Sequence, residues 1–184
     1  DGLKQWDPTD AQGRPLVPVA TPEWKRPNLA SIYALNKFVQ ERTTHIMSAP
    51  YGIEGVCLRL FNVFGPGQAL SNPYTGVLAI FASRYLNGQA PMIFEDGEQR
   101  RDFVHVEDVA QAFALALEHP AAAGQVYNVG SGQDRTVREV ARLLAHRDRP
   151  VRFEHGAAIE RTRAEPVPRL QPRQRALVFG FYPG

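Results

Sequence analysis

Apolar residues recur along this chain in two alternating patterns, one with the period of a helix and one in short runs. Ile32, Leu35, Phe38 and Val39 follow helical spacing and predict a helix from Leu29 or Ala30 to about Ser48 with those four as its apolar face. Pro50-Tyr51-Gly52 is expected to stop it. Gly55 to Val63 is apolar apart from Arg59 and Asn62 and reads as one buried strand ending at Gly65-Pro66-Gly67. A second helix is expected from Gly76 to Leu86, with Asn87-Gly88 as its C-terminal stop. Pro91 to Phe94 reads as a short strand, Glu95 to Glu98 as a turn, and Asp102 to Val106 as another strand. An Ala-rich helix follows from Glu107 to Glu118, ended by His119-Pro120, and Gln125 to Val129 is a strand closing on Gly130-Ser131-Gly132. Thr136 and Glu139 have the spacing of a capping box and open a helix to about His146. Strands thus alternate with helices, which indicates an α/β fold with a largely parallel sheet.

Two stretches break the alternation. Residues 1–28 are rich in Pro, Asp and Gln and read as an irregular surface loop. Residues 147–175 hold eight arginines and four prolines without periodicity, and only Val151-Arg152-Phe153 hints at a strand. The apolar run Ala176 to Phe181 stands isolated, so this end is expected to be disordered or loosely docked. Its abrupt composition suggests a diverged or frame-shifted end. Reading the encoding DNA in the other two frames tests that idea, which fails if neither frame restores a family-like sequence.

At 184 residues the chain fits one domain or slightly more, with 43% hydrophobic and 22% charged residues, as in ordinary globular proteins. Cys57 is the sole cysteine, which excludes an internal disulfide and a multi-cysteine zinc site, and its apolar surroundings predict a buried, inert thiol. No run reaches the roughly 18 apolar residues of a membrane span and no signal peptide is visible, so a cytoplasmic protein without a membrane partner is expected. The net charge of +2 conceals an asymmetry, −2 over residues 1–146 and +4 over residues 147–184. Because the tail arginines alternate with prolines and form no helical stripe, nucleic-acid binding is not expected. The start at Asp1 suggests a fragment.

Chemistry concentrates first at Tyr33 and Lys37, four apart on the first predicted helix and so one turn apart on one face. A phenol with a reference pKa of about 10 is a poor base at neutral pH, and a cation one turn away favours the phenolate. Taken alone, such a pair is more often a packed ring beside a solvated ammonium.

The motifs that follow sharpen the reading. Tyr33-x-x-x-Lys37 is followed by Leu58-Arg59-Leu60-Phe61-Asn62-Val63-Phe64-Gly65-Pro66, then by Ile93 to Asp108, which includes Arg100-Arg101-Asp102-Phe103-Val104-His105, and by Val126-Tyr127-Asn128-Val129-Gly130-Ser131-Gly132. In that order they resemble the C-terminal half of the extended short-chain dehydrogenases/reductases, the NAD-dependent nucleotide-sugar epimerases and dehydratases. The resemblance covers roughly residues 14–146, and Gln68 to Gly76 most resembles the dTDP-L-rhamnose 4-epimerase branch. It implies the C-terminal half of a Rossmann-like parallel-sheet fold with a small substrate-binding lobe. The expected division is 1–63 for the end of the dinucleotide-binding domain, 64–146 for the lobe with the last sheet elements, and 147–184 for the atypical tail.

By that resemblance Tyr33 is the catalytic base that removes the proton of the sugar 4-hydroxyl while hydride leaves C4 for the nicotinamide of NAD. Lys37 bonds the nicotinamide ribose and holds the phenol's pKa down. A 4-epimerase then turns the keto-sugar and returns the hydride to its other face. Phe61 is expected beside the cofactor, with core packing as the alternative. Asn62, Phe94, Arg101 and Tyr127 are expected to contact a nucleotide-diphosphate sugar: Asn62 from the cleft, Phe94 against the base, Arg101 on the diphosphate and Tyr127 beside the sugar. Core packing competes for Phe94 and Tyr127, and turn capping for Asn62. Arg100 is read as a surface charge, and His105 and Asp108 as structural rather than metal-binding. The resemblance also implies a homodimer through the Tyr-Lys helix.

The family's Gly-rich phosphate turn, the acidic residue for the adenosine ribose and the Ser/Thr that shares the 4-hydroxyl have no counterpart here; Thr9 and Thr21, in the Pro-rich loop, are not assigned that role. The chain is therefore expected to be inactive alone. A 4,6-dehydratase, which needs an additional acid/base pair, and a non-catalytic remnant remain as alternatives.

Overall fold

The computed structural model describes residues 9–69, 76–93 and 96–145, together with the backbone of residues 175–181. Phe94 and the Val151–Phe153 segment lie outside the described residues.

The first helix, α1, runs Ile32–Tyr51. Ser31 caps it, its Oγ accepting from the Ala34 N–H at 3.1 Å. Pro50 lies inside its last turn and does not stop it; Gly52, at φ 63°, does, because left-handed backbone turns the chain out of the helix. The expected apolar face is largely turned outward. Ile32, Leu35 and Val39 are exposed and only Phe38 of the four is half-buried, whereas Ala34 and Glu41 are buried, so the side of α1 facing the sheet is mostly small and polar.

The single strand expected from Gly55 to Val63 is two strands. β1 spans Glu54–Leu60 and β2 spans Asn62–Phe64, with Phe61 between them. The break passes the chain from one sheet to another. After α2 (Val77–Leu86), no strand forms at residues 91–93, where Pro91 lacks an N–H for a ladder. β3 spans Arg100–His105, and α3 runs Val106–Glu118, its start capped by His105 Nδ1 accepting from the Glu107 N–H. A 3-10 turn at Pro120–Ala122 leads to β4, Val126–Val129. A short strand that the periodicity did not signal, β5 (Asp134–Thr136), precedes α4 (Val137–Ala145). The capping box forms as expected: the Thr136 N–H donates to Glu139 Oε2 at 2.9 Å, and the Glu139 N–H to Thr136 Oγ1 at 3.0 Å.

β6, Arg175–Phe181, corrects the reading of the last apolar run as isolated. It pairs parallel with β1 along its whole length, from Glu54 opposite Arg175 to Leu60 opposite Phe181. Two sheets result, β4-β1-β6, all parallel, and β2-β3-β5, in which β3 is parallel to β2 and antiparallel to β5.

Alternation along β1 divides the first sheet's faces. Val56, Leu58 and, from β4, Val129 pack on Val109, Ala112 and Ala116 of α3, where alanines admit close approach. Gly55, Cys57 and Arg59 point the other way, toward α1: a Cβ on Gly55 would collide with Ser48 Oγ, and Cys57 Sγ donates to the Glu41 carbonyl at 3.9 Å. Phe64 and Phe103 belong to a second core with Leu78 and Phe81 of α2 and Val140 and Ala141 of α4. Phe81 is among the most completely buried side chains, whereas Leu86 on the same helix is exposed. Phe81→Ala is accordingly expected to lower the unfolding free energy by about 3–5 kcal/mol, and Leu86→Ala by about 0.5 kcal/mol or less. Urea denaturation of the two variants checks the contrast.

Candidate active site

α1 enters β1 through the tight turn at Gly52, so helix and strand run in opposite senses. Ser48 and Thr44 lie over Gly55, and Glu41 meets Cys57 and Arg59. Continuing up the helix, Lys37 and Tyr33 stand about one and two turns past Arg59, at roughly 1.5 Å per residue. The Tyr-Lys turn therefore projects past the carboxyl end of β1, the end at which parallel sheets bind ligands.

Lys37 Nζ lies 5.7 Å from the centroid of the Tyr33 ring and donates to Gln40 Oε1 at 3.3 Å. The ammonium thus sits over the face of the ring, a cation–π arrangement. The expected lowering of the phenol's pKa is not found; partial burial raises Tyr33 above its ordinary value.

Phe61 and Asn62 leave the end of β1. The Phe61 N–H donates to the Val129 carbonyl at 3.0 Å, and its ring covers Gly130, where a Cβ would lie 2.5 Å from Phe61 Cδ2. Glycine is needed there to admit the ring. Asn62 Nδ2 donates to the Asp102 carbonyl at 3.1 Å, tying β2 to β3. Asp102, which the sequence reading passed over, accepts from the Ser131 N–H, the Ser131 hydroxyl and the Gly132 N–H at 2.7, 2.8 and 2.9 Å. Its carboxylate fixes the glycine turn after β4 beside Phe61.

The remaining expected residues are more dispersed. Arg101 lies on β3 opposite Arg135, and its Nη1 donates to the Arg100 carbonyl. Arg100 is exposed and pairs with Asp134 at 3.0 Å. Tyr127 is exposed and sits opposite Leu58, so it faces the α3 side of the sheet, away from α1. The structure thus brings Tyr33 to Lys37 and Phe61 to Asn62, and sets Tyr127 on the other face. Among the described residues no group of three His, Cys, Asp or Glu side chains is placed to hold a metal ion. No helix there is long and apolar enough to cross a membrane.

Behind the Tyr-Lys turn lies an ion pair that periodicity alone did not reveal. Arg59 donates through Nε and Nη2 to the two carboxylate oxygens of Glu41, both at 2.8 Å, and through Nη1 to the Glu23 carbonyl at 2.9 Å. Two signals pointed to it: an arginine within an apolar strand needs a buried acid, and Glu41 is one turn beyond Lys37. Glu23 Oε1 in turn accepts from the Asn128 N–H at 3.0 Å, and Asn128 Nδ2 donates to the Thr21 carbonyl at 2.6 Å.

Several known proteins are similar to this chain. A family model described as the NAD dependent epimerase/dehydratase family matches residues 15–130. A dTDP-L-rhamnose 4-epimerase of Burkholderia thailandensis is 34% identical over 141 residues, covering 77% of this chain and 38% of that protein. The chain thus spans well under half the length of this relative. The crystal structure of UDP-glucose 4-epimerase from Thermotoga maritima with UDP-glucose superposes with a TM-score of 0.58 at 34% identity, over 78% of this chain and 42% of that one. dTDP-glucose 4,6-dehydratase from Bacillus anthracis in complex with NAD gives 0.59 at 26% identity, over 70% and 39%.

Cys57 provides a probe of this region. Burial, then the Glu41 charge, push its thiol up to about 11 against the ordinary 9.0, with Arg59 opposing. A thiol whose folded pKa exceeds its unfolded value adds stability below pH 9 that is lost as pH rises toward 11. At pH 8 iodoacetamide is expected to alkylate the native chain at least about 100-fold more slowly than the urea-unfolded chain. Mass spectrometry of quenched samples checks this.

Proposed function

Since the chain belongs to the NAD dependent epimerase/dehydratase family, we propose that it carries the proton-transfer half of a nucleotide-sugar 4-epimerase active site. The observation that supports this most is the Tyr33–Lys37 pair on the turn of α1 that projects past β1.

In this reading Tyr33 takes the proton of the sugar 4-hydroxyl and returns it, leaving a 4-keto sugar between the two transfers. Lys37 places positive charge beside the phenol, whose pKa burial raises in the chain as it stands. Asn62 and Arg101 orient the nucleotide-diphosphate sugar from β2 and β3, Phe61 closes the floor beside them and Phe94 completes the substrate contacts, while Tyr127, on the face away from α1, is given no part in them. The first sheet then serves the cofactor side and the second the substrate lobe, with the boundary near residue 63.

The family is NAD-dependent, and the residues present suit one end of that cofactor. The Tyr33 hydroxyl and Lys37 ammonium are donors and acceptors of the kind a nicotinamide ribose needs. NAD, when bound, supplies reversible hydride acceptance and, while oxidised, further positive charge beside the phenol. The turns available for its phosphates fit less well. Cβ positions at Gly65 and Gly130 are blocked by Val106 and Phe61 rather than opening on a cradle. Tight NAD binding is accordingly not assigned to the described residues, and calorimetric titration of the chain should show no micromolar site.

The outward face of α1 carries the apolar side chains Ile32, Leu35, Val39, Ile46 and Met47. A second copy of the chain is the proposed partner for it. Val39→Asp with Ile46→Asp is expected to shift light-scattering mass from dimer to monomer. An unchanged mass sinks the assignment.

The activity is tested by grafting the chain in place of the matching segment of the Burkholderia thailandensis relative. The graft should interconvert C4 epimers of a nucleotide sugar, and Tyr33→Phe should slow it by about 10²–10⁴-fold. A folded graft that binds NAD and yields a 4-keto-6-deoxy sugar instead supports the dehydratase alternative; one that yields no product supports a non-catalytic remnant.

A further inference from the structure

We propose that the buried Glu41–Arg59 pair is a positioning clasp that sets how far the Tyr33–Lys37 turn reaches past β1. The proposal rests on the reading of Tyr33 and Lys37 given above, and concerns residues that touch neither substrate nor cofactor.

The underside of α1 is unusual for a helix on a sheet. It presents Glu41, Thr44 and Ser48 to Gly55, Cys57 and Arg59 of β1, with Phe38 half-buried, while Ile32, Leu35, Val39, Ile46 and Met47 point away. Small polar contacts of this kind admit close approach but do not select one height along the strand. Knobs of Leu or Ile would interlock; Ser against Gly can slide. The Arg59 fork removes that freedom. Two parallel hydrogen bonds of 2.8 Å from a planar guanidinium to a carboxylate fix both distance and angle.

Both partners are nearly inaccessible, Glu41 at 6% and Arg59 at 9% exposure. A pair so buried contributes little net stability, because desolvation opposes the attraction. Its geometric effect is the larger one. Tyr33, Lys37 and Glu41 are spaced by four on a continuous helix, so a displacement at Glu41 is carried to Tyr33 about 12 Å away. The third donor of Arg59 extends the clasp to the Glu23 carbonyl, and Glu23 and Thr21 are fastened to Asn128 of β4. That strap continues to Ser31, the cap of α1. One guanidinium thus references the helix, the strap before it and the sheet to each other.

The test uses the full chain with Cys57→Ala and nitroxide labels at Asn36→Cys on α1 and Gln111→Cys on α3, both exposed. Pulsed electron spin resonance then reads the distance across the sheet. Arg59→Lys keeps the charge but loses the fork, and the double variant Glu41→Leu/Arg59→Met replaces the pair by apolar groups of similar size. Both are expected to melt within a few degrees of the parent yet to broaden and shift the distance distribution. The Tyr33 phenol, read by ultraviolet difference titration against Tyr33→Phe, should move toward its ordinary value in both. In the graft, kcat should fall about tenfold or more while KM for the nucleotide sugar stays within about threefold.

An unchanged distribution and titration in the double variant overturn the proposal. So does failure of the double variant to fold, since the pair would then carry stability rather than position. Inactivity of the parent graft beside a broadened distribution leaves the clasp standing and rejects the catalytic reading instead.

Discussion

Everything in this fold hangs on the alternation of side chains along β1. Val56 and Leu58 turn to the alanines of α3 and make an apolar core, while Gly55, Cys57 and Arg59 turn to the polar underside of α1. A strand flanked by parallel neighbours is buried on both faces, so each face needs a layer. On one side the layer is held by apolar packing. On the other it is held by close approach at Gly55 and by the Arg59 fork. Removing the guanidinium would leave Glu41 as a buried, uncompensated carboxylate, a far larger cost than the pair's net contribution.

Much of the fold was legible because its signals are local. The capping box at Thr136 and Glu139, the stop at Asn87-Gly88 and the Ala-rich α3 each follow from a few neighbouring residues. What escaped depends on distant partners. The run Gly55 to Val63 is interrupted only by Arg59 and Asn62 and carries no turn residue at position 61, yet Phe61 leaves the first sheet, covers Gly130 and lets Asn62 bond β3. Helical spacing predicts Ile32, Leu35, Phe38 and Val39 toward the core, but the polar positions Glu41, Thr44 and Ser48 pack inward because their partners on β1 are an arginine, a thiol and a glycine. The run from Ala176 to Phe181 looked isolated, yet its backbone completes the ladder on the open side of β1. Of the expected site, the Tyr33–Lys37 proximity follows from helical spacing alone. The direction of the Tyr33 shift does not, since burial depends on what surrounds the ring.

The functional account joins these features. Membership of the NAD dependent epimerase/dehydratase family brings a chemistry, and the geometry of α1 suggests which group performs the proton transfer. The projection of Tyr33 past the sheet, the ammonium over its ring and the carboxylate–guanidinium pair beneath are three levels of one helix. In the proposed function they correspond to contact with the reacting hydroxyl, electrostatic support and placement. The second sheet, fixed to the first through Asn62, Asp102 and the glycine turn, offers the surface on which a sugar nucleotide is proposed to lie.

The central claim is that Tyr33 acts on an oxygen-bound proton and that no carbon-bound hydrogen of the sugar is released to solvent. Running the grafted enzyme in deuterium oxide and examining the epimerised sugar by nuclear magnetic resonance tests it most directly. The account predicts product with ordinary hydrogen at C4. Solvent deuterium at that carbon would mean deprotonation at carbon itself and would contradict the role given to Tyr33.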